Sequence, residues 1–178
     1  MTRILGSTDL KRLHRTWRRR APSRLGLLLD SVATPVNVGS ILRTAAAMRV
    51  DDVWLGGQTS GTDSPGVAKT AMGSERFVSL HRVADVADAI GAVREAGYRL
   101  VGVELADDGE PVHEADLAGD VCLAVGHEDR GLSSAVLTGA DSLVYVPQLG
   151  RVGSLNVAVA AAIALYEARR QGWPPPEL

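Results

Sequence analysis

Three short polar stretches, each bearing glycine, hold the side chains of this chain that could do chemistry. They are "SVATPVNVG" from Ser31, "GHEDRGLS" from Gly126 and "PQLGRVGSLN" from Pro147. In the first, Asn37 or a neighbour is placed to cap the helix "VGSILRTAAAMRV", and Gly39 admits close approach of another segment. Laid out at about 100° per residue, Ile41, Leu42, Ala45, Ala46 and Met48 cover one side of that helix. Ser40, Arg43, Thr44 and Ala47 form the other. Arg43 therefore projects from a face of small side chains, where a planar guanidinium can grip a phosphate or a carboxylate. A solvated surface arginine fits the same pattern.

The second stretch brackets His127, Glu128, Asp129 and Arg130 between Gly126 and Gly131, as a sharp turn or a close approach to a flat ligand would require. His127 has the chemistry of a general base, but no second histidine or cysteine stands at ligand spacing, which argues against a metal. The two acids fit a solvated turn equally well. In the third stretch Gly150 and Gly153 make a flexible loop, and Ser154 is a natural N-cap for the apolar helix running from Leu155 to Ala168. Backbone N–H groups at such a helix start attract anions. Asn156 is a mediocre helix former with no capping duty in the first turn, so it calls for another explanation. The helix itself is apolar on nearly every side, with Val157, Val159, Ile163 and Leu165 among alanines. It must be buried in a thick core or against a second subunit.

The elements that must position these turns alternate along the chain. Strands are expected at "RLGLLLD" (24–30), "DDVWLGG" (51–57), "RFVSLH" (76–81), "YRLVGVEL" (98–105), "VCLAVG" (121–126) and "SLVYVP" (142–147). Between them lie the helix after Asn37, an amphipathic helix over 82–97 stopped by Gly97, a short helix at "LSSAVLTG" and the final apolar helix. The stretch "GGQTSGTDSPG" and the acidic "ADDGEPVHEADLAGD" read as loops. Strands apolar throughout, alternating with helices, predict one α/β domain over 24–171: a mostly parallel sheet with helices on both faces. Residues 1–23 stand apart as a basic arm and 172–178 as a short tail. In such sheets ligands sit beyond the C-terminal strand ends, where all three polar turns fall.

Bulk properties narrow the function. The 178 residues suffice for one hydrophobic core, and 46% hydrophobic with 22% charged residues suits a globular protein. Aromatics are only 4%, which argues against base stacking on an aromatic platform. The single cysteine, Cys122, cannot form an intramolecular disulfide and sits in an apolar run, reading as a small buried hydrophobe. There is neither a charge-free span for a bilayer nor a hydrophobic segment behind the N-terminal arginines, so no membrane partner and a cytoplasmic location are expected. The net charge of −2 hides an asymmetry: residues 1–24 hold eight of 19 basic residues and one acid, leaving −9 on the remainder. A basic arm on an acidic body suits a polyanion partner, or a solvated tail; Trp17 in "HRTWRRR" favours contact. GxxxxGK[ST], GxGxxG and GxSxG are all absent, against a nucleotide hydrolase, a dehydrogenase and an α/β-hydrolase.

Taken together, the stretches "NVGSILRTA" from Asn37, "AVGHEDRGLS" from Ala124 and "VPQLGRVGSLNVAVAAAIALYE" from Val146 resemble the motifs of the SpoU/TrmH branch of the SPOUT RNA methyltransferases, over residues 24–170. The resemblance implies a C-terminal trefoil knot, one of the few exceptions to un-knotted chains. It implies S-adenosylmethionine as methyl donor, a homodimer with active sites built from both chains, and methylation of a ribose 2′-hydroxyl in tRNA or rRNA. Carried over by position, Arg43 matches the arginine proposed to activate the hydroxyl, Asn37 the asparagine supporting it, and Glu128 the glutamate of the second motif. Ser154 and Asn156 match the polar pair of the third motif, while Val103, Gly126, Val146 and Leu155 fall where the cofactor pocket is lined. Gln148 stands where the family usually has methionine, and Ala158 replaces a common serine. The chain also stops short of the C-terminal extension that tRNA ribose methylases often carry, which bears on the substrate.

The expectation is an S-adenosylmethionine-dependent RNA 2′-O-ribose methyltransferase needing no metal. Because "KTAMGSERFVSLHR" and "GRVGSLNVAVA" look most like the tRNA guanosine-ribose methylases, tRNA is favoured over rRNA, with Lys69, Arg76 and Arg82 extending the basic surface. A non-catalytic RNA-binding dimer and a base methylase are the alternatives. Since arginine stays protonated, Arg43 is expected to clamp a phosphate and stabilise alkoxide charge rather than act as a free base.

Overall fold

The computed structural model describes residues 2–19 and 23–173. Seven strands, β1 (Leu25–Asp30), β2 (Asp52–Gly56), β3 (Ser79–Val83), β4 (Arg99–Val103), β5 (Glu110–Pro111), β6 (Val121–Val125) and β7 (Ser142–Tyr145), form one sheet in the order β3-β2-β1-β6-β4-β7-β5. Every pairing is parallel. Alternate strand residues point to opposite faces, and both faces of β1, β2, β4 and β6 are covered, which is why these are largely apolar, while the edge strands β3 and β5 are polar and partly exposed. On one face Leu27, Leu29 and Leu123 pack beneath α2 (Pro35–Ala47), α3 (Pro65–Ala71) and α6 (Val157–Gln171). On the other, Leu28, Trp54, Leu100 and Cys122 pack beneath α4 (Val86–Glu95) and α5 (Ser134–Gly139). Cys122 is thus the buried hydrophobe expected, and burial raises its thiol pKa well above the usual value.

Several boundaries differ from expectation, each for a local reason. The third strand lies at Ser79–Val83, because Val83 pairs with Gly56, while Ser74–Phe77 turns as a 3-10 helix. Sheet pairing thereby takes Arg82 and Val83 from the predicted helix. That helix starts at Val86, where Asp85 accepts hydrogen bonds from the N–H groups of Ala87 (2.7 Å) and Asp88 (3.4 Å). The acidic loop contributes the two-residue edge strand β5. The glycine-rich stretch runs into α3, which packs so closely on α2 that a Cβ on Gly39 would lie 2.5 Å from the Val67 carbonyl and closer still to the Thr70 hydroxyl. Gly39 has the close-approach role expected of it.

The arm is helical as α1 (Ser7–Arg18), with Leu10, Leu13 and Trp17 on one stripe, and Trp17 meets Trp173 at 5.1 Å between ring centroids. Arg20 of the arm and the tail from Pro174 onward lie outside the described residues. One buried cation ties α6 to the rest. Arg169, 6% exposed, donates to the carbonyls of Met48 (2.8 Å), Ser23 (2.7 Å) and Arg49. Two of these are left over at the C-terminal end of α2, where cations are favoured.

Candidate active site

The second and third turns meet beyond the C-terminal ends of β4, β6 and β7 around a cavity of about 560 Å³, and the first, after β1, is bonded to Glu128 behind it without lining it. Val103, Gly126, Val146 and Leu155, assigned to a cofactor pocket by resemblance, all line it, as do Glu128 and Ser154. Glycine is required twice here. A Cβ on Gly126 would collide with the Gly131 backbone, and Gly131 has φ +67° with the Glu104 carboxylate against it. His127 and Gly131 exchange both backbone hydrogen bonds, at 3.0 and 2.9 Å, so the second stretch is a sharp hairpin turn. The His127 Nδ1 accepts from the Asp129 N–H at 3.1 Å, which leaves Nε2 as the ring nitrogen able to serve a ligand in the cavity.

A chain of hydrogen bonds links one polar residue from each turn. The Asn156 side chain donates to Asn37 Oδ1 at 3.0 Å, and Asn37 in turn donates to Glu128 Oε1 at 2.9 Å. Glu128 also accepts from the N–H groups of Ala33 (3.1 Å) and Thr34 (2.9 Å), just before α2. Partial burial works against the Glu128 anion. The donation from Asn37 and the backbone hydrogen bonds outweigh it, holding the carboxyl down at about 2. Glu128 therefore stays ionised at neutral pH and anchors the start of α2; it has no proton to give.

Two capping assignments are corrected. Asn37 does not cap α2, which begins two residues earlier at Pro35, with Thr34 as N-cap; Pro suits the first helical position because its missing N–H is not needed there. Nor does Ser154 cap the last helix. Asn156 is the N-cap, its Oδ1 accepting from Ala158 N (2.9 Å) and Val159 N (3.4 Å) while its Nδ2 reaches Asn37. An asparagine does both where a serine, with one short hydroxyl, would not. Ser154 stays exposed at the cavity rim.

Asn37 and Asn156 do not line the cavity and reach it only through Glu128, and Arg43 is not linked to it at all. It lies on the exposed side of α2, its Nη1 2.9 Å from the Met72 sulfur, and does not line the cavity. Two carboxylates were missed from sequence. Glu104, directly after β4, accepts from the N–H groups of Leu105 (3.0 Å) and Leu132 (2.9 Å) on the cavity wall. Asp30, 1% exposed at the end of β1, accepts from Ser133 N at 2.6 Å. The available signal was an acid at the end of an otherwise apolar strand. Gln148 lines the cavity, and Ala158 is partly buried against the core.

A doubly covered parallel sheet with a polar cavity at its C-terminal edge is an α/β ligand-binding domain by architecture. Residues 24–166 match the model of the SpoU rRNA Methylase family. The chain is 36% identical over 146 residues to the 23S rRNA (guanosine-2′-O-)-methyltransferase RlmB of Acinetobacter baylyi, covering 82% of this chain and 59% of that one. It is 35% identical over 161 residues to the tRNA (guanosine(18)-2′-O)-methyltransferase of Thermus thermophilus, covering 90% and 81% respectively. Among solved structures, the AdoMet-bound rRNA methyltransferase of Sinorhizobium meliloti superposes with TM-score 0.78 at 34% identity, over 87% of this chain and 60% of that one. The chain belongs to the SpoU methylase family. It spans less than two thirds of the length of relatives such as RlmB.

Proposed function

We propose that this protein is an S-adenosylmethionine-dependent RNA methyltransferase acting on a ribose 2′-hydroxyl, with tRNA as the favoured substrate. The observation that carries the reading is one cavity lined by two distant turns, to which the third is tied by the Asn156–Asn37–Glu128 hydrogen-bond chain. The cavity fits the donor chemically. Its size is that of a small-molecule pocket, its apolar wall of Val103, Val146 and Leu155 suits an adenine ring, and the carboxylates of Glu104, Glu128 and Asp129 suit a cationic ligand. When bound there, S-adenosylmethionine supplies an activated methyl group on a sulfonium, so the chain's own task is to align the hydroxyl and help its proton leave.

Arg43 clamps the phosphate beside the reacting ribose and stabilises charge developing on the 2′-oxygen. It does so from a second copy, because on its own chain it is not among the residues lining the cavity. Exposed apolar surface supports such a homodimer. Val159 and Ile163 lie one turn apart on the uncovered side of α6, and Leu149 and Val152 stand out from the loop before it. Asn37, Glu128 and Asn156 hold the start of Arg43's helix against the cofactor loops, so each chain positions its cavity and its arginine through one network. Ser154, Gly126 and Val146 border the bound donor, and family membership supports threading of the last loop into a trefoil knot. Ribosomal RNA is the second reading, favoured by the match to a 23S rRNA methyltransferase.

The test is transfer of labelled methyl to unmodified tRNA and rRNA. The expected outcome is label in tRNA, recovered as a dinucleotide resistant to alkali because its 2′-oxygen is blocked. Label in rRNA alone moves the substrate. Label in alkali-sensitive nucleotides means a base methylase, and donor binding without transfer means a non-catalytic RNA-binding dimer.

A further inference from the structure

A second groove, of about 640 Å³, opens between α1, the C-terminal end of α2 and α6. Of the chain's three tryptophans, three tyrosines and one phenylalanine, Trp17, Trp173, Tyr166 and Phe77 line it. Three of the rings are in contact, and the fourth stands apart. Trp17 meets Trp173 at 5.1 Å, Tyr166 meets Trp173 edge-on at 5.5 Å, and Phe77 remains 66% exposed. Arg76 covers one face of Phe77 at 4.8 Å from its centroid. Among the described residues the remaining lining includes His14, Arg18, Arg49 and Arg169 and no acid, on a body whose net charge beyond residue 24 is −9. The groove is also built in place: Arg49 donates to the Arg18 carbonyl at 3.0 Å, fixing the last turn of α1 against the end of α2.

We infer that this groove is a docking site for an unpaired nucleobase of the RNA substrate, stacked on Phe77 and the tryptophan pair with its phosphates against Arg18 and Arg49. Aromatic faces within a cationic channel are what single-stranded nucleic acid needs, because every base has a π-face and every linkage a negative charge. An apolar peptide would not need the arginines, and a bare polyanion would not need the rings. Position adds to this. Ala47 lines the groove and Arg43 stands four residues earlier on the same exposed side of α2, one helical turn away. A strand whose phosphate is held by Arg43 therefore continues into the groove with the next nucleotides. The low aromatic content predicted no stacking platform; tertiary folding collects the few rings in one place.

The inference rests on the RNA reading above, and the experiment separates the two. Binding of a fluorescein-labelled oligoadenylate of about twelve nucleotides and of inorganic polyphosphate is measured for the full chain and for Phe77→Ala and Trp17→Ala. The expected result is that each variant binds oligoadenylate about five- to a hundredfold more weakly while polyphosphate affinity shifts less than about twofold. Equal losses on both probes, or unchanged oligoadenylate binding in variants with native circular dichroism, overturn it. So does a change in sedimentation of Phe77→Ala from dimer to monomer, which would make the groove an interface between copies. S-adenosylhomocysteine affinity is measured alongside. If that ligand does not bind the parent chain, the methyltransferase reading falls while the stacking result stands.

Discussion

The Glu128 carboxylate accepts hydrogen bonds from Ala33, Thr34 and Asn37, and the folded protein holds its pKa at about 2 against a usual 4.5. A depressed carboxyl stabilises the fold fully above the unfolded value and loses that contribution as pH falls through the folded one. Glu128→Gln should therefore lower stability by about 1 kcal/mol at neutral pH, an amount discounted for partial solvent access. In urea titrations the gap to the parent protein should shrink between about pH 4.5 and 2; a constant gap would show that charge is not the source. Arg43 makes a contrasting demand. Arg43→Lys keeps the charge and loses the planar fork, so turnover should fall about a hundredfold with unchanged affinity for S-adenosylhomocysteine. Near-normal turnover would remove both the clamp and any base role.

At the scale of elements, α2 carries Asn37 and Arg43 and is fixed at both ends by other segments. Glu128 holds its entrance, and Arg169 from α6 takes the Met48 and Arg49 carbonyls at its exit. Arg169→Met would fill similar space but orphan those carbonyls, and about 2–4 kcal/mol of unfolding free energy should be lost in denaturant titration. The expected amphipathic pattern of α2 holds, with Val38, Ile41, Leu42 and Ala45 buried and Arg43 exposed. Its start at Pro35 after Thr34 follows a local signal, whereas the carboxylate that anchors it lies 91 residues from Asn37 in sequence, beyond any local capping rule. Asn156 caps its helix by local bonds, but its link to Asn37 spans 119 residues and is invisible to local pattern.

At the scale of the molecule, the proposed dimer and the basic arm each carry a prediction. The α6 stripe through Val159 and Ile163 predicts that Ile163→Asp yields a monomer by sedimentation, with methyl transfer lost because Arg43 no longer reaches a second cavity. A monomer with full activity would refute the shared site. The basic arm predicts a second separation. Removing residues 1–20 should weaken RNA binding and flatten its dependence on salt, since fewer phosphate contacts release fewer counterions. Donor affinity should not change, because α1 borders the aromatic groove and not the cofactor cavity.

Fold class and the place of the site were legible in the residues themselves. Uniformly apolar strands can only be buried on both faces, and the polar, glycine-bearing turns that follow them fall at one edge of a parallel sheet. Residue types alone left Asn37, Arg43, Glu128 and Ser154 with ordinary structural readings and only Asn156 unexplained; the family resemblance singled out the five together. What each does required the tertiary structure. Hydrogen bonds at about 3 Å between residues some hundred positions apart turned Glu128 into an anchor and tied the Asn156 cap to Asn37. Packing likewise gathered four scattered aromatic rings into one groove. Local pattern reports the burial and periodicity of each segment; which segments meet is decided by the closing of the whole core.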